Sequence, residues 1–166
     1  MTEVEVLIGL ASENDLDGIV ALQAANQPEN GGTLSANLGY SRISEMMHEM
    51  PLIVARRDHR VTGYLMTSSR SRNSDVPVIS AMLSVYPGSV DAYVYGPICV
   101  SSVERGKGVA QAMFLELRRL APAREGILFI RQDNEASLRA HLKMGMSEVA
   151  GFKLGGIKFV VLSYFG

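Results

Sequence analysis

The chain has 166 residues, of which 47% are hydrophobic and 20% are charged, and its formal net charge is -1. This length and composition predict a single globular domain over residues 1–166 and exclude a disordered chain. The small net charge argues against a nucleic-acid surface or an anionic membrane as the main partner. We find neither a signal-peptide pattern nor a metal-spaced Cys/His cluster, and the lone cysteine, Cys99, suits a reducing compartment. We therefore expect a cytoplasmic protein without a metal ion.

In the first half of the chain, segments whose apolar residues have the spacing of a strand are followed by segments whose apolar residues have the spacing of a helix. Ser12 followed by Asp15 has the form of a helix cap, and Pro28 and Pro51 are expected to end two helices. The second of these helices is predicted to be capped by Ser41. The elements expected here are a strand over 4–11, a helix before Pro28, a polar loop over 27–39, a helix over 41–50, and a hairpin with strands 52–55 and 61–66.

The second half of the chain predicts further strands and helices and a closing hairpin. A short helix is expected over 76–87, after a polar loop over 68–75. The central strand is expected over 91–100, with a break at Gly96-Pro97 because proline lacks a ladder donor. The remaining elements are a long helix ending before Pro122, a strand over 126–130, a helix from Asp133 or Asn134 to Gly145, and strands 146–153 and 158–165 around Gly155-Gly156. The apolar face of the last helix is expected to consist of Leu138, Leu142 and Met146.

The joint between the central strand and the long helix has the properties of an anion-binding site. The apolar run 98–100 is followed by a polar turn and by Arg105-Gly106-Lys107-Gly108. The first N–H groups of a helix have no intrahelical partner, and two glycines let the backbone approach a ligand. A phosphate or pyrophosphate fits that description. The signature GxxxxGK[ST] is absent and GxGxxG lacks its third glycine, while Cys99 is interpreted as a core residue rather than a nucleophile.

Two segments resemble motifs of the GNAT superfamily of N-acetyltransferases. Arg105-x-x-Gly108-x-Ala110 resembles the pyrophosphate loop of that family, [QR]xxGx[GA]. Asn134-x-x-Ser137 through Lys143-Met144-Gly145-Met146 resembles the family segment Asn-x-x-[AS]…Tyr-x-Lys-x-Gly-Phe. The predicted order of elements is also similar to the GNAT fold along almost the whole chain. The resemblance implies an α/β (α+β) fold with a mixed, mostly antiparallel central sheet of six or seven strands, flanked by helices and splayed at the central strand to bind CoA.

The resemblance also implies acetyl-CoA as the cosubstrate and a small amine or peptide amine as the acceptor. The backbone of Ile98 and Val100 would pair with the pantetheine arm, and Asn134 and Ser137 would contact the pantetheine and phosphate region. The residues whose backbone would hold the pyrophosphate are Arg105, Gly106, Lys107, Gly108, Val109 and Ala110.

The chain departs from the family pattern at a position that bears on catalysis. Where the family has a tyrosine thought to protonate the departing thiolate, this chain has His141, whose ordinary pKa lies near neutrality. His141 is expected either to donate that proton or to line the pocket without a chemical role. The sequence leaves the general base open between water and several side chains. The candidates are Tyr95, Tyr93, Asp91, Glu29 and Asn30.

The sequence also leaves alternatives open for the acceptor and for the class of reaction. Residues 27–39 and 68–89 show no strong charge bias, so peptide N-termini, small amines and amino acids all fit. A non-catalytic acyl-CoA sensor or degenerate domain is one alternative, supported by the missing tyrosine. A transferase for another acyl group is a second alternative. The sequence is also compatible with a homodimer.

Overall fold

The computed structural model describes residues 5–27 and 37–166. The strands are β1 (Leu7–Leu10), β2 (Ile53–Arg57), β3 (Arg60–Ser69), β4 (Tyr93–Val100), β5 (Glu125–Arg131), β6 (Ser147–Leu154) and β7 (Ile157–Phe165). The helices are α1 (Leu16–Ala25), α2 (Tyr40–Glu49), α3 (Pro77–Val85), α4 (Val109–Leu120) and α5 (Glu135–Lys143). The strand order is β1-β2-β3-β4-β5-β7-β6. The mixed, mostly antiparallel sheet of seven strands confirms the predicted fold class.

The chain divides into two compact units, and the first consists of Met1–Thr67 and Gly96–Leu120. Within it β1, β2 and β3 are antiparallel neighbours, and the tight β2–β3 turn places Asp58 and His59 at positive φ. Helices α1 and α2 each turn an apolar stripe inward, because their large side chains recur three residues apart. The buried side chains of this core are Leu16, Ile19, Ile43, Met46, Leu52, Val54, Tyr64, Met66 and Cys99.

The second unit consists of Ser68–Tyr95 and Ala121–Gly166. Within it β5 pairs with β7 and β7 with β6, all antiparallel, and the β6–β7 turn uses Gly155 and Gly156 at positive φ. The start of β4 lies parallel to β5, and this pairing joins Tyr93 and Val94 to Gly126 and Ile127. The buried side chains of this core are Met82, Ala92, Val94, Ile127 and Val161.

A buried carboxylate fastens the second unit where β5 begins. Glu125 is 1% exposed and accepts hydrogen bonds from the hydroxyl of Tyr86 and the N–H of Ser89, both at 2.6 Å, and from the hydroxyl of Ser163. Burial raises the pKa of Glu125, but the hydrogen bonds from Ser163, Tyr86 and Ser89 together outweigh it, so the pKa lies below its usual value. Glu125 is therefore a fixed negative charge that connects β5, β7 and the segment before β4.

Most predicted elements are confirmed within a few residues, but two details were wrong. Helix α2 is capped by Gly39 and not by Ser41, because the Gly39 carbonyl already accepts the first helical bond, from Ile43 at 3.0 Å. On α5, Leu142 is 48% exposed, whereas His141 is 4% exposed. Since successive helical residues are rotated by roughly 100°, the buried stripe passes through His141 and leaves Leu142 outside.

Some predictions fall on residues outside the described ranges. They are the start of the first strand at Val4, most of the loop over 27–39, and the base candidates Glu29 and Asn30.

Candidate functional site

The predicted anion loop lies in the first unit, between the end of β4 and the start of α4. A 3-10 turn over Ser102–Glu104 follows the strand, and the N–H of Ser101 is tied to the carbonyl of Thr62 at 2.8 Å. Gly106 and Gly108 both have φ of 78°, a conformation that favours glycine. Apart from the glycine itself and its two chain neighbours, no atom of residues 5–27 and 37–166 would lie within 4 Å of a methyl group placed on either α-carbon. The loop backbone therefore borders open space wide enough for a ligand to approach closely.

The start of α4 supplies hydrogen-bond donors to the same loop. The carbonyl of Gly108 accepts the N–H of Ala112 at 3.0 Å, so the helix begins at this glycine. The N–H groups of the first helical turn have no carbonyl four residues earlier in the helix, and the helix dipole adds partial positive charge there. The sequence-predicted set from Arg105 to Ala110 thus forms one continuous loop and helix start with the chemistry of an anion site.

The loop also carries full charges, held by nearby side chains. Arg105 donates from Nη2 to Oδ1 of Asn26 at 2.6 Å, and Lys107 donates from Nζ to Oε1 of Glu104 at 3.3 Å. Glu104 is 2% exposed and accepts a second bond from Nε of Arg57 at 2.9 Å, which holds the pKa of this carboxyl below its usual value. Sequence reasoning missed Asn26, Arg57 and Glu104, since no local pattern marks these contacts.

The last residues of β4 present alternate side chains. Cys99 is buried in the core of the first unit, and burial raises the pKa of its thiol to about 11. The thiol is therefore protonated at neutral pH, and the prediction of a core residue is confirmed. Ile98 and Val100 are half-buried and, as strand neighbours of Cys99, point to the opposite face.

In the second unit, the start of α5 carries the second motif. Asn134 caps the helix, and its Oδ1 accepts the N–H of Ser137 at 3.3 Å. One turn further on, Nδ1 of His141 lies 2.7 Å from the carbonyl oxygen of Ser137. Because a carbonyl only accepts, Nδ1 carries the hydrogen. The other ring nitrogen, Nε2, lies 3.1 Å from the hydroxyl of Tyr95.

These contacts define the protonation of the pair formed by Tyr95 and His141. Burial lowers the pKa of His141 and raises that of Tyr95, so at neutral pH the imidazole is neutral and the phenol is protonated. Nε2 is then an acceptor, and the Tyr95 hydroxyl donates to it. The Tyr95 ring also forms T-shaped contacts with the His141 and Tyr164 rings at centroid distances of 5.5 Å and 5.9 Å. Two predicted catalytic residues, 46 positions apart, are thus brought into direct contact.

Among residues 5–27 and 37–166 no group of three or more His, Cys, Asp or Glu side chains could hold a metal ion. Within those same ranges, every helix is too short or too polar to cross a membrane.

The sequence matches the model of the acetyltransferase (GNAT) family over residues 19–146, which is more than half of the chain. The chain belongs to the GNAT family. Members of this family transfer acyl groups from acetyl-CoA. The match spans the glycine loop and the Asn134 motif, the two segments on which the resemblance was based.

Solved structures of GNAT proteins share the fold at low sequence identity. Ard1 from Thermoplasma volcanium superposes with a TM-score of 0.72 at 17% identity, covering 98% of each chain. NAA60 from Arabidopsis thaliana, in complex with acetyl-CoA, gives 0.71 at 14% identity, covering 97% of this chain and 98% of that one. A ribosomal-protein-alanine N-acetyltransferase from Brucella melitensis gives 0.70 at 19% identity, covering 96% and 99%. A search of the curated proteins gave no match.

Proposed function

We propose that this GNAT protein, as one domain over residues 1–166, transfers the acetyl group of acetyl-CoA to an amine. The observation that carries the proposal is the glycine loop, whose backbone borders open space at Gly106 and Gly108 directly before a helix N-terminus. The N-acetyltransferase named for ribosomal-protein alanine supports an amine acceptor, and the acetyl-CoA complex of NAA60 supports acetyl-CoA as the donor. Peptide N-termini, small amines and amino acids remain the acceptor classes to be tested.

The cosubstrate would be bound largely through the backbone. The N–H groups from Arg105 to Ala110 would hold the pyrophosphate. The half-buried strand positions Ile98 and Val100 would offer their peptide groups to the pantetheine arm, as an added strand would. Asn134 uses its carbonyl oxygen in the helix cap, which leaves its amide hydrogens as donors to the ligand. Ser137 would contribute its hydroxyl from the first turn of the same helix.

The reaction requires one proton to move from nitrogen to sulfur. A neutral amine attacks the thioester carbonyl, a C–N bond forms, the C–S bond breaks, and the thiolate needs a proton. In our proposal Tyr95 accepts the amine proton while its own proton passes to Nε2 of His141. The reverse transfer then delivers a proton through Tyr95 to the departing thiolate. This assignment joins the base candidate Tyr95 and the acid candidate His141 in one relay.

The hydrogen bonds of the pair support this relay. The Ser137 carbonyl fixes the hydrogen on Nδ1 and turns the lone pair of Nε2 toward Tyr95. The lowered pKa of His141 favours the neutral imidazole, which can accept a proton at the start of each turnover. The raised pKa of Tyr95 suits a group that passes a proton on without resting as a phenolate.

Calorimetry with acetyl-CoA tests the loop. Gly108→Glu places a side chain and a negative charge where the pyrophosphate would lie, and we expect affinity to fall at least about a hundredfold (~2.7 kcal/mol). Gly156→Glu is the matched control, because Gly156 also has positive φ and open space around it but lies in the β6–β7 turn. A folded Gly108→Glu protein with wild-type affinity would contradict the loop assignment.

Acetyl transfer is then tested with a panel of peptide N-termini, small amines and amino acids, with release of free thiol as the readout. Mass spectrometry should find an acetylated product that survives alkaline hydroxylamine, as an amide does and an ester or thioester does not. Tight binding of acetyl-CoA without transfer to any amine would favour the sensor interpretation. Turnover with another acyl-CoA only would favour a different acyl donor.

A further inference from the structure

The two basic side chains of the glycine loop are each bound by a buried partner in the same unit. Arg105 donates to Oδ1 of Asn26 at 2.6 Å and, from Nε, to the carbonyl of Val100 at 3.3 Å. Lys107 donates to Glu104 at 3.3 Å. Asn26 and Glu104 are only 7% and 2% exposed. The loop is thus tied both to the end of α1 and to the 3-10 turn that precedes it.

Each of these partners is itself anchored on a regular element. Asn26 is the C-terminal cap residue of α1, and its Nδ2 donates to the carbonyl of Leu22 at 2.9 Å. Glu104 is held by Arg57, the last residue of β2, at 2.9 Å. The positions of both loop cations are therefore set by contacts with other residues of the same unit.

We infer that Asn26 and Glu104 are positioning residues, which hold the glycine loop in the shape that receives a pyrophosphate; this inference rests on the proposed function. Asn26 acts by fixing the Arg105 guanidinium against the end of α1. Glu104 acts by fixing Lys107. The positive charges of Lys107 and Arg57 offset the negative charge of Glu104 itself, which would otherwise repel the ligand. An ordered loop leaves less conformational entropy to lose on binding, which favours affinity.

Calorimetric titration with CoA tests the Asn26 contact without any knowledge of the acceptor. If Asn26→Ala reduces the ordered fraction of the loop to about a tenth, the dissociation constant rises about tenfold. Asn26→Asp restores an acceptor for Arg105 and should bind CoA nearly as well as wild type. Arg105→Ala alone and combined with Asn26→Ala should have equal affinities, because both remove the same hydrogen bond.

Glu104→Gln tests the second contact at constant volume. It removes the charge that holds Lys107, and we again expect about a tenfold weaker affinity for CoA. Glu116→Gln is the matched control, because Glu116 lies in the same unit and also pairs with a cation, Arg119 on α4. The side chain of Arg119 is 69% exposed. The control should bind CoA as wild type does.

A ligand without a pyrophosphate separates positioning from general damage. Pantetheine lacks the group that the loop would hold, so NMR titration should show the same weak affinity for wild type, Asn26→Ala and Glu104→Gln. Equal losses for CoA and pantetheine, or wild-type affinity for CoA in both variants, would overturn the positioning role. A wild-type protein that binds no CoA would instead overturn the proposed function itself.

Discussion

In the proposed relay, turnover depends on the Tyr95 hydroxyl as much as on His141. If His141 protonated the thiolate directly, turnover would not depend on the Tyr95 hydroxyl in this way. Tyr95→Phe removes the hydroxyl that lies 3.1 Å from Nε2 and leaves the ring in place. His141→Gln keeps an acceptor for Tyr95 and a donor for the Ser137 carbonyl but accepts no proton. A positioned acid or base contributes about 10²-fold to 10⁴-fold, so each variant should lose at least about 10²-fold in kcat. Since both variants break one relay, the double variant should be no slower than either single variant.

The pH profile of kcat/KM gives an independent measure of the same pair. The pKa of His141 is lowered by burial, so the imidazolium should form only below its usual value of 6.5. Wild-type kcat/KM, measured by thiol release at fixed acetyl-CoA, should therefore fall on the acid side of that value as Nε2 becomes protonated and stops accepting. In His141→Gln the contribution of Nε2 should vanish, so the acid limb should become shallower and follow only the protonation of the amine acceptor.

Tyr93→Phe is the matched control for the loss of a buried hydroxyl. Tyr93 lies two residues earlier on β4, is fully buried, and bonds to the hydroxyl of Tyr164 at 2.5 Å. It should cost stability, as Tyr95→Phe does, since a buried partner left unpaired costs about 1–3 kcal/mol. Its kcat should stay near the wild-type value at temperatures where all variants are folded. Full activity in Tyr95→Phe would refute the relay, and recovery of activity by His141→Tyr would favour a direct donor at this position.

Three further outcomes follow from the buried groups. Glu125→Ala leaves three donors unpaired and should lower the free energy of unfolding by about 3 kcal/mol or more in urea titrations, whereas exposed Glu148→Ala should change it by less than about 0.5 kcal/mol. Cys99→Ala should keep kcat within a few-fold, and mass spectrometry after mixing with acetyl-CoA alone should find no acetylated Cys99; an acetylated thiol would indicate a covalent route. Because the folded-state pKa of His141 is lowered, its contribution to stability is present above pH 6.5 and is lost as the pH falls below that value. The free energy of unfolding of wild type should therefore decrease more steeply between pH 7 and 5 than that of His141→Gln. Parallel stability curves would contradict this.

Local signals explain why the elements around the glycine loop could be predicted. A strand ending in Val100, two glycines and an apolar stripe from Val109 onward lie within 21 residues, from Val100 to Leu120. Turn chemistry acts over similarly short distances, and Gly155-Gly156 at positive φ joins β6 to β7 as expected. Where residue type and neighbours decide the backbone, sequence patterns are sufficient.

The contacts that the sequence did not reveal join distant residues. Arg105 and Asn26 are 79 positions apart, and Arg57 and Glu104 are 47 apart. Apolar periodicity also misplaced the buried face of α5, because a buried histidine counts as polar in such a pattern. The carbonyl that faces Nδ1 of His141 belongs to Ser137 on the same helix, but the fold is needed to bring Tyr95, 46 positions away, to Nε2.

The direction of each pKa shift separates the buried ionisable groups by the chemistry open to them. Glu104 and Glu125 have lowered pKa values and are surrounded by donors, so both stay ionised through neutral pH and act as fixed charges. His141 also has a lowered pKa, but for an imidazole this favours the neutral form, whose Nε2 lone pair faces a hydroxyl. Of these three groups, His141 alone can take up a proton at a nitrogen that faces a hydroxyl able to pass the proton on. Replacing the two carboxylates should therefore alter binding or stability, and replacing His141 should alter turnover.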